Sequence, residues 1–249
     1  MQEIMYHDFG SEWGESHWWF QGRIKIVDFI FRELSLHDRN MKILDIGCGT
    51  GVMLPLLSRY GMVDGLDSSE IAIDYCRKKN IGGVNLIAGS FPDALPAGAQ
   101  YDLVTIFDVI EHIEDDIGMF KDIHCLLKPG GLLVCTVPAY KFLWGPHDML
   151  NQHKRRYTKK SIVKKAQEAG FEIKRASYFN TFLFTPIVCV KLWRKIRTGS
   201  PEKLSDLRLL RNKTLNNLFE AIFSSEKFVL KYINMPFGLS LFIAGIKRK

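Results

Sequence analysis

A chain of 249 residues, 47 % of them hydrophobic, is long enough for one large domain with a substantial core. Its five cysteines are scattered and include no C-x-x-C pair, which argues against a disulfide framework or a zinc site and for reduced, buried thiols in a cytosolic protein. The net charge is +7, and +6 of it belongs to residues 180–235, where ten Lys/Arg face four Asp/Glu; the basicity is a property of one late segment. The first residues lack the basic and apolar regions of a signal peptide, and no apolar run approaches the ~20 residues that a spanning helix needs.

Residues 3–20 are dense in aromatics: Tyr6, Phe9, Trp13, Trp18, Trp19 and Phe20. Arg23 follows, and apolar residues at 24, 27, 30, 31 and 34 mark one face of an amphipathic helix. The aromatics either cap the core or form a lid over a ligand. In the second case Arg23 would meet a carboxylate, which suits the guanidinium fork.

The run MKILDIGCGTG, residues 41–51, reads as a buried strand entering a glycine-rich turn, with Val52, Met53 and Leu54 opening a helix. Gly47, Gly49 and Gly51 permit positive φ angles and close backbone approach to a ligand. A second strand, 62–67, ends at Asp67. An acid about 20 residues beyond a glycine turn is where a βαβ nucleotide fold holds ribose hydroxyls. Ser68-Ser69-Glu70 can cap the next helix. Residues 84–88 read as a third strand, before Gly89-Ser90-Phe91, and 101–107 as a fourth, ending at Asp108. Asp108-Val109-Ile110-Glu111-His112 leads into a helix reaching Leu127; Lys128-Pro129-Gly130-Gly131 is a turn and 132–137 a fifth strand. Strands alternating with helices predict a doubly wound α/β domain with its ligand crevice at the strand C-terminal ends.

Residues 44–51, Asp67, Asp108 to His112 and Leu127 to Gly131 together resemble class I S-adenosylmethionine-dependent methyltransferases. The resemblance covers roughly residues 17–180, and the HWWF run with Arg23 is similar to a bacterial subset. It implies a Rossmann-like, mostly parallel seven-stranded sheet with S-adenosylmethionine as cosubstrate. Gly47, Cys48, Gly49 and Gly51 then surround the methionine moiety, and Asp45 supports the loop or the amino group. Asp67 and Ser68 sit at the ribose, Ser90 and Phe91 flank the adenine, and Asp108 and Val109 line the methionine side. Trp19 and Arg23 close over the cosubstrate. Many relatives carry Asp where Ser90 stands.

Beyond strand five, residues 138–157 are rich in His, Trp and Tyr and should overhang the same crevice. Tyr140, Trp144, His147, Arg156 and Tyr157 are candidates for acceptor binding. His112, His147 and His153 are candidates for taking a proton from a hydroxyl acceptor. Each could instead be structural, and Arg155-Arg156 could be a solvated face. His147, Asp148 and His153 have no compact ligand spacing, so no metal is expected. Thr158 reads as the N-cap of the helix ending at Gly170.

Residues 171–179 and 237–247 read as strands six and seven, with an insert between them far longer than a hairpin needs. Its first part is apolar, broken by Pro186, then basic. Its second carries a helical apolar stripe from 215 to 233. The insert either caps the acceptor pocket, makes a dimer face, or rests on an anionic membrane. Nucleic acid fits its apolar content poorly. The expected organisation is one methyltransferase domain over 1–249: aromatic lid 1–36, cosubstrate core 40–180, basic amphipathic insert 181–235 and last strand 236–249. The expected activity is methyl transfer to a small or lipid- or sugar-linked acceptor, at oxygen. The expected location is cytoplasmic, with peripheral contact at the inner membrane face through 181–235. An N-methyltransferase of a small amine or RNA is the alternative enzyme, and a non-catalytic cosubstrate-binding scaffold or regulator the alternative class. The oligomeric state is not legible.

Overall fold

The computed structural model describes residues 16–36, 40–198 and 212–248. Tyr6, Phe9, Trp13 and the stretch 199–211 of the insert lie outside the described residues. Seven strands form one sheet: β1 (Met41–Ile46), β2 (Gly61–Asp67), β3 (Val84–Ala88), β4 (Tyr101–Phe107), β5 (Leu127–Pro138), β6 (Phe171–Phe179) and β7 (Ser240–Lys247). Their order is β3-β2-β1-β4-β5-β7-β6. All neighbours are parallel except β7, which is antiparallel to both β5 and β6. The central strands β1 and β4 are covered on both faces, which is why they read as nearly continuous apolar runs. The strand order reverses between β1 and β4, so a crevice opens there at the strand C-terminal ends.

Local signals explain most helix starts. Among the described residues, helix α1 (Trp18–Glu33) begins well before the apolar stripe, because the His17 side chain accepts from Trp19 N. The expected helix after the glycine turn is a single turn, α2 (Leu54–Leu57), with Pro55 at its start. Ser69 caps α3 (Glu70–Lys79), and Asn80 closes it in the left-handed conformation. Two expectations are corrected beyond this point. Asp108 to His112 does not run into a long helix: a 3₁₀ turn at Ile110–His112 is followed by a separate α4 (Asp116–Leu126), which Asp115 caps by accepting from Gly118 N at 2.8 Å. The Lys128 to Gly131 turn is absorbed into β5, where the register with β4 shifts between Tyr101 and Leu103. A short α5 (Pro146–Leu150) and α6 (Lys159–Glu168), capped by Thr158, lead to β6.

The insert forms α7 (Phe184–Thr198) and α8 (Lys213–Leu230). Pro186 lies in the first turn of α7, where its missing N–H breaks no helical bond. Helix α8 docks on α1. Trp18 meets Phe219 and Phe223 at ring-centroid distances of 5.8 and 6.0 Å, and Trp18 N donates to Asn216 Oδ1 at 2.8 Å. Gly22 permits the contact: a Cβ there would lie 2.2 Å from the Phe223 ring. The second half of the insert is therefore packed against the body.

Glu226 of α8 is fully buried, and its Oε1 accepts from Phe182 N at 2.7 Å just after β6. Burial raises its carboxyl to about 7, despite the backbone N–H groups of residues 180–182. The folded state thus keeps a proton that the unfolded chain releases, and stability falls as pH rises from about 4.5 to about 7. Urea unfolding at pH 5 and pH 8 should show Glu226→Gln losing about 2–3 kcal/mol less than the parent between those values. Equal losses would contradict this account of Glu226.

Candidate active site

A cavity of about 1060 Å³ opens at the strand ends, bordered by the glycine loop, the N-terminal part of α1, the turn after β4, residues 143–156 and both insert helices. Trp19, Arg23, Asp45, Gly47, Cys48, Gly49, Asp67, Ser68, Ser90, Phe91, Asp108 and Val109 all border it. Gly51 does not. A Cβ at Gly51 would meet Cys76 Sγ at 2.8 Å, so this glycine serves packing behind the loop.

The loop is shaped by backbone needs. Gly47 and Gly49 take φ of 71° and 55°. A side chain at Gly47 would strike Val109 at 2.3 Å, whereas the space in front of Gly49 is open to 4 Å. Asp67, at the end of β2, holds this loop: Oδ2 accepts from Gly49 N at 2.8 Å and Oδ1 from Ser69 N at 2.9 Å. Each oxygen keeps a further lone pair for a ligand hydroxyl. Burial raises the Asp67 carboxyl, against the two backbone donors. Asp45 is buried too; burial pushes its carboxyl up to about 7, and Thr105 Oγ1 donates to it at 2.6 Å. Cys76 Sγ reaches Gly49 O at 3.2 Å, and the Cys48 thiol is driven up by its hydrogen bond to Cys76 and by burial.

Arg23 was expected to meet a carboxylate, and its partner is Asp108 of the chain itself. The guanidinium carbon also lies 4.3 Å from the Trp19 ring centroid. Its buried Nε has no hydrogen-bond partner among the described residues, which leaves one donor for a ligand carboxylate. An unfilled space before Gly49, acceptor lone pairs on Asp67 and a spare Arg23 donor fit a zwitterionic nucleoside such as S-adenosylmethionine.

Across the cavity, His112, His147 and His153 come together. The His112 and His153 rings meet edge-on at 4.7 Å, and His147 lies 6.0 Å from His153. His153 Nδ1 is 2.8 Å from Asp148 Oδ1. Burial alone would raise the Asp148 carboxyl, but the hydrogen bonds from His153 and Arg156 outweigh it and hold it below the usual carboxylate range. Burial, then the facing His153, lower His112 to about 4, so its imidazole is neutral at pH 7. Glu111 is wholly buried; burial and then Asp108 push its carboxyl well up.

Arg156 borders the cavity, but it is committed to Asp148 at 2.6 and 3.0 Å and to Ala139 O at 3.0 Å, so it holds the cluster rather than an acceptor. Tyr140, Trp144 and Tyr157 are not on the cavity wall. Tyr140 stacks on Tyr178 at 5.0 Å, Trp144 is partly exposed outside it, and Tyr157 is buried with its hydroxyl 2.9 Å from Asp116. Sequence reasoning missed Glu111, Asn151, Asn180 and the insert side chains Ile187 and Phe219 as wall residues. Asn180 is the least legible, since its positive φ of 58° and its burial depend on the packing of β6 and β7.

A family model described as a methyltransferase domain matches residues 19–176. The chain belongs to this methyltransferase family. Its fold is that of class I S-adenosylmethionine-dependent methyltransferases. Curated relatives include the ubiquinone biosynthesis O-methyltransferase of Ruegeria pomeroyi, 31 % identical over 144 residues, covering 51 % of this chain and 58 % of that one. The protein of the same description from Coxiella burnetii is 28 % identical over 111 residues, covering 43 % and 47 %. The chain spans about half the length of the curated relatives it matches. Similar solved structures include the Haemonchus contortus phosphoethanolamine N-methyltransferase 2 with S-adenosyl-L-methionine (TM-score 0.59, 20 % identity, 98 % of this chain and 60 % of that one). Another is the possible histamine N-methyltransferase of Thermotoga maritima (TM-score 0.57, 17 % identity, 99 % and 100 %). At such identities they speak for the fold.

Calorimetric titration of the methyltransferase with S-adenosylhomocysteine should give about tenfold weaker binding for Asp67→Asn, the loss of one charged hydrogen-bond acceptor. Parent-level affinity in that variant would remove Asp67 from the cosubstrate site.

Proposed function

We propose that this methyltransferase moves a methyl group to a hydroxyl oxygen of an acceptor with an apolar body. The observation that carries this reading is that the cluster of a buried Glu111 with the half-buried His112 and His153, and apolar side chains of the insert, Ile187, Val190 and Phe219, border the same cavity as the glycine loop. The O-methyltransferase relatives support oxygen as the acceptor atom.

S-adenosylmethionine, when bound, supplies an electrophilic methyl group on a sulfonium. Asp67 accepts from the ribose hydroxyls, and Ser90 and Phe91 flank the adenine. Arg23 and Asp45 hold the amino-acid end, while Asp108 and Val109 wall the methionine side. Most of the protein's work is then placement, because in-line displacement needs the nucleophile opposite the leaving sulfur. The acceptor oxygen gains the methyl carbon and loses its proton as the carbon–sulfur bond breaks. That proton passes to solvent beside the polar cluster at residues 111, 112 and 153.

The apolar acceptor body has a counterpart on the surface. Phe142 and Phe237 are 67 % and 41 % exposed, and both pack on Phe184, at centroid distances of 6.5 and 5.3 Å. Phe182 and Trp193 are exposed as well, and residues 180–198 around them hold four Lys/Arg and no Asp/Glu. Such a patch suits contact with an anionic bilayer and delivery of a lipid-linked acceptor. No helix among the described residues is long and apolar enough to cross a membrane.

Turnover with hydroxylated amphiphiles should fall by about 10² or more in kcat/KM for His153→Ala while S-adenosylhomocysteine affinity is retained. Unchanged turnover would overturn the role of the cluster. In flotation with vesicles containing anionic phospholipid at low salt, the intact protein should rise with the lipid and Phe142→Ser should rise less. Failure of the intact protein to bind would remove the membrane from this reading.

A further inference from the structure

Glu111 has no hydrogen-bonded charge partner among the described residues; the nearest ring nitrogen of His153 stands 3.9 Å away. It is fully buried on the 3₁₀ turn after β4, and neither carboxyl oxygen has a hydrogen-bond partner among the described residues. A buried carboxylate left in that state is costly, and removing the cost takes a proton or a cation. The groups needed to share a cation are already beside it. One oxygen of Glu111, one ring nitrogen of His112 and one of His153 all lie within 4.8 Å of one another.

The surroundings are built in the way that a metal centre requires. His153 Nδ1 is tied to Asp148 at 2.8 Å, which leaves Nε2 on the other side of the ring, 3.9 Å from Glu111 Oε1. That separation is too long for a hydrogen bond and close to the ~3.4 Å between two ligands of one tetrahedral ion. Asp148 is itself fixed by Arg156 at 2.6 and 3.0 Å, so the imidazole has an orienting carboxylate, and the carboxylate an orienting guanidinium. Two imidazoles and one carboxylate form the donor set of an open, three-ligand site, with a remaining position toward the cavity that all three residues border.

We propose that Glu111, His112 and His153 bind a divalent cation of the zinc, cobalt or manganese class. No compact ligand spacing marks it along the chain because the ligands come from two distant segments, the turn after β4 and the loop after α5. The cation site stands on this geometry alone; its use in catalysis rests on the hydroxyl reading. There, positive charge beside the acceptor favours its ionised form. The proton passes to solvent, the oxygen forms the new bond to the methyl carbon, and the sulfonium leaves as a neutral thioether.

The test is a titration of chelator-treated, cosubstrate-free protein with Co²⁺ alone, followed by its visible ligand-field absorption and by thermal unfolding, with Zn²⁺ as competitor. One equivalent should bind, the bands should indicate four or five ligands including imidazole, and the melting temperature should rise with ion concentration. Glu111→Gln and His153→Ala should each weaken Co²⁺ binding by at least about tenfold. His112→Ala, at a less buried position, provides the same readout if Glu111→Gln does not fold. Absence of binding of Co²⁺, Zn²⁺ and Mn²⁺ to the folded parent, or equal binding in the folded variants, overturns the proposal. If the ion fails to bind yet hydroxyl acceptors are methylated, only the cation site falls. If the ion binds and hydroxyl acceptors are inert, only the acceptor reading falls.

Discussion

The ion pair between a buried Arg23 and a half-buried Asp108 holds the site together. Arg23 sits on α1 and Asp108 at the end of β4, where the strand order reverses, so this one contact pulls the N-terminal helix across the mouth of the crevice. The side chain of Arg23 is only 8 % exposed, and loss of one partner would leave a charge stranded in an apolar setting, at a cost of about 3–5 kcal/mol. Trp19 covers the guanidinium face, and α1 in turn supports α8 through Gly22 and Phe223. The insert therefore reaches the cavity by way of a helix that the ion pair positions. Asp108 accepts a φ of 54° to make the contact, a left-handed backbone that Asp tolerates better than most residues and that clusters at functional sites.

A second theme is the number of carboxyl groups kept from water around the cavity. Asp45, Asp67 and Glu111 are all raised, with burial as the largest cause in each. The cosubstrate brings a sulfonium and an ammonium, and a cationic ligand lowers the cost of ionising carboxyls that burial penalises. The same economy of charge explains why Asp67 serves the protein before it serves a ligand. Its bonds to Gly49 N and Ser69 N set the loop in place, so the loop is formed before the ligand arrives.

Much of this was legible in the sequence where the governing contact is local. The alternation of Gly47, Gly49 and Gly51, the spacing to Asp67, and the caps at Ser69 and Thr158 are properties of a few consecutive residues. The apolar runs of β1 and β4 announced a sheet covered on both faces. Legibility failed where distant segments decide. Tyr157 looked like an acceptor residue because it lies in the His-, Trp- and Tyr-rich stretch after strand five, but its pairing with Asp116 draws it into the core. Arg156 looked free, and Asp148 takes it. Glu111 read as a helix residue beside a more conspicuous histidine; only the approach of His153 and Asp148 gives it chemical meaning. The insert could be recognised as helical and basic, but its docking on α1 depends on a single glycine whose purpose cannot be read without Phe223.

The central claim is that one cavity brings the methyl donor of this methyltransferase to a hydroxyl oxygen. The most direct measurement uses S-adenosylmethionine labelled with ¹³C in its methyl group, an amphiphilic acceptor carrying both a hydroxyl and a primary amine, and carbon NMR of the product. The account predicts a single new resonance of a methoxyl carbon. A resonance of an N-methyl carbon, with the hydroxyl left unmodified, would contradict it.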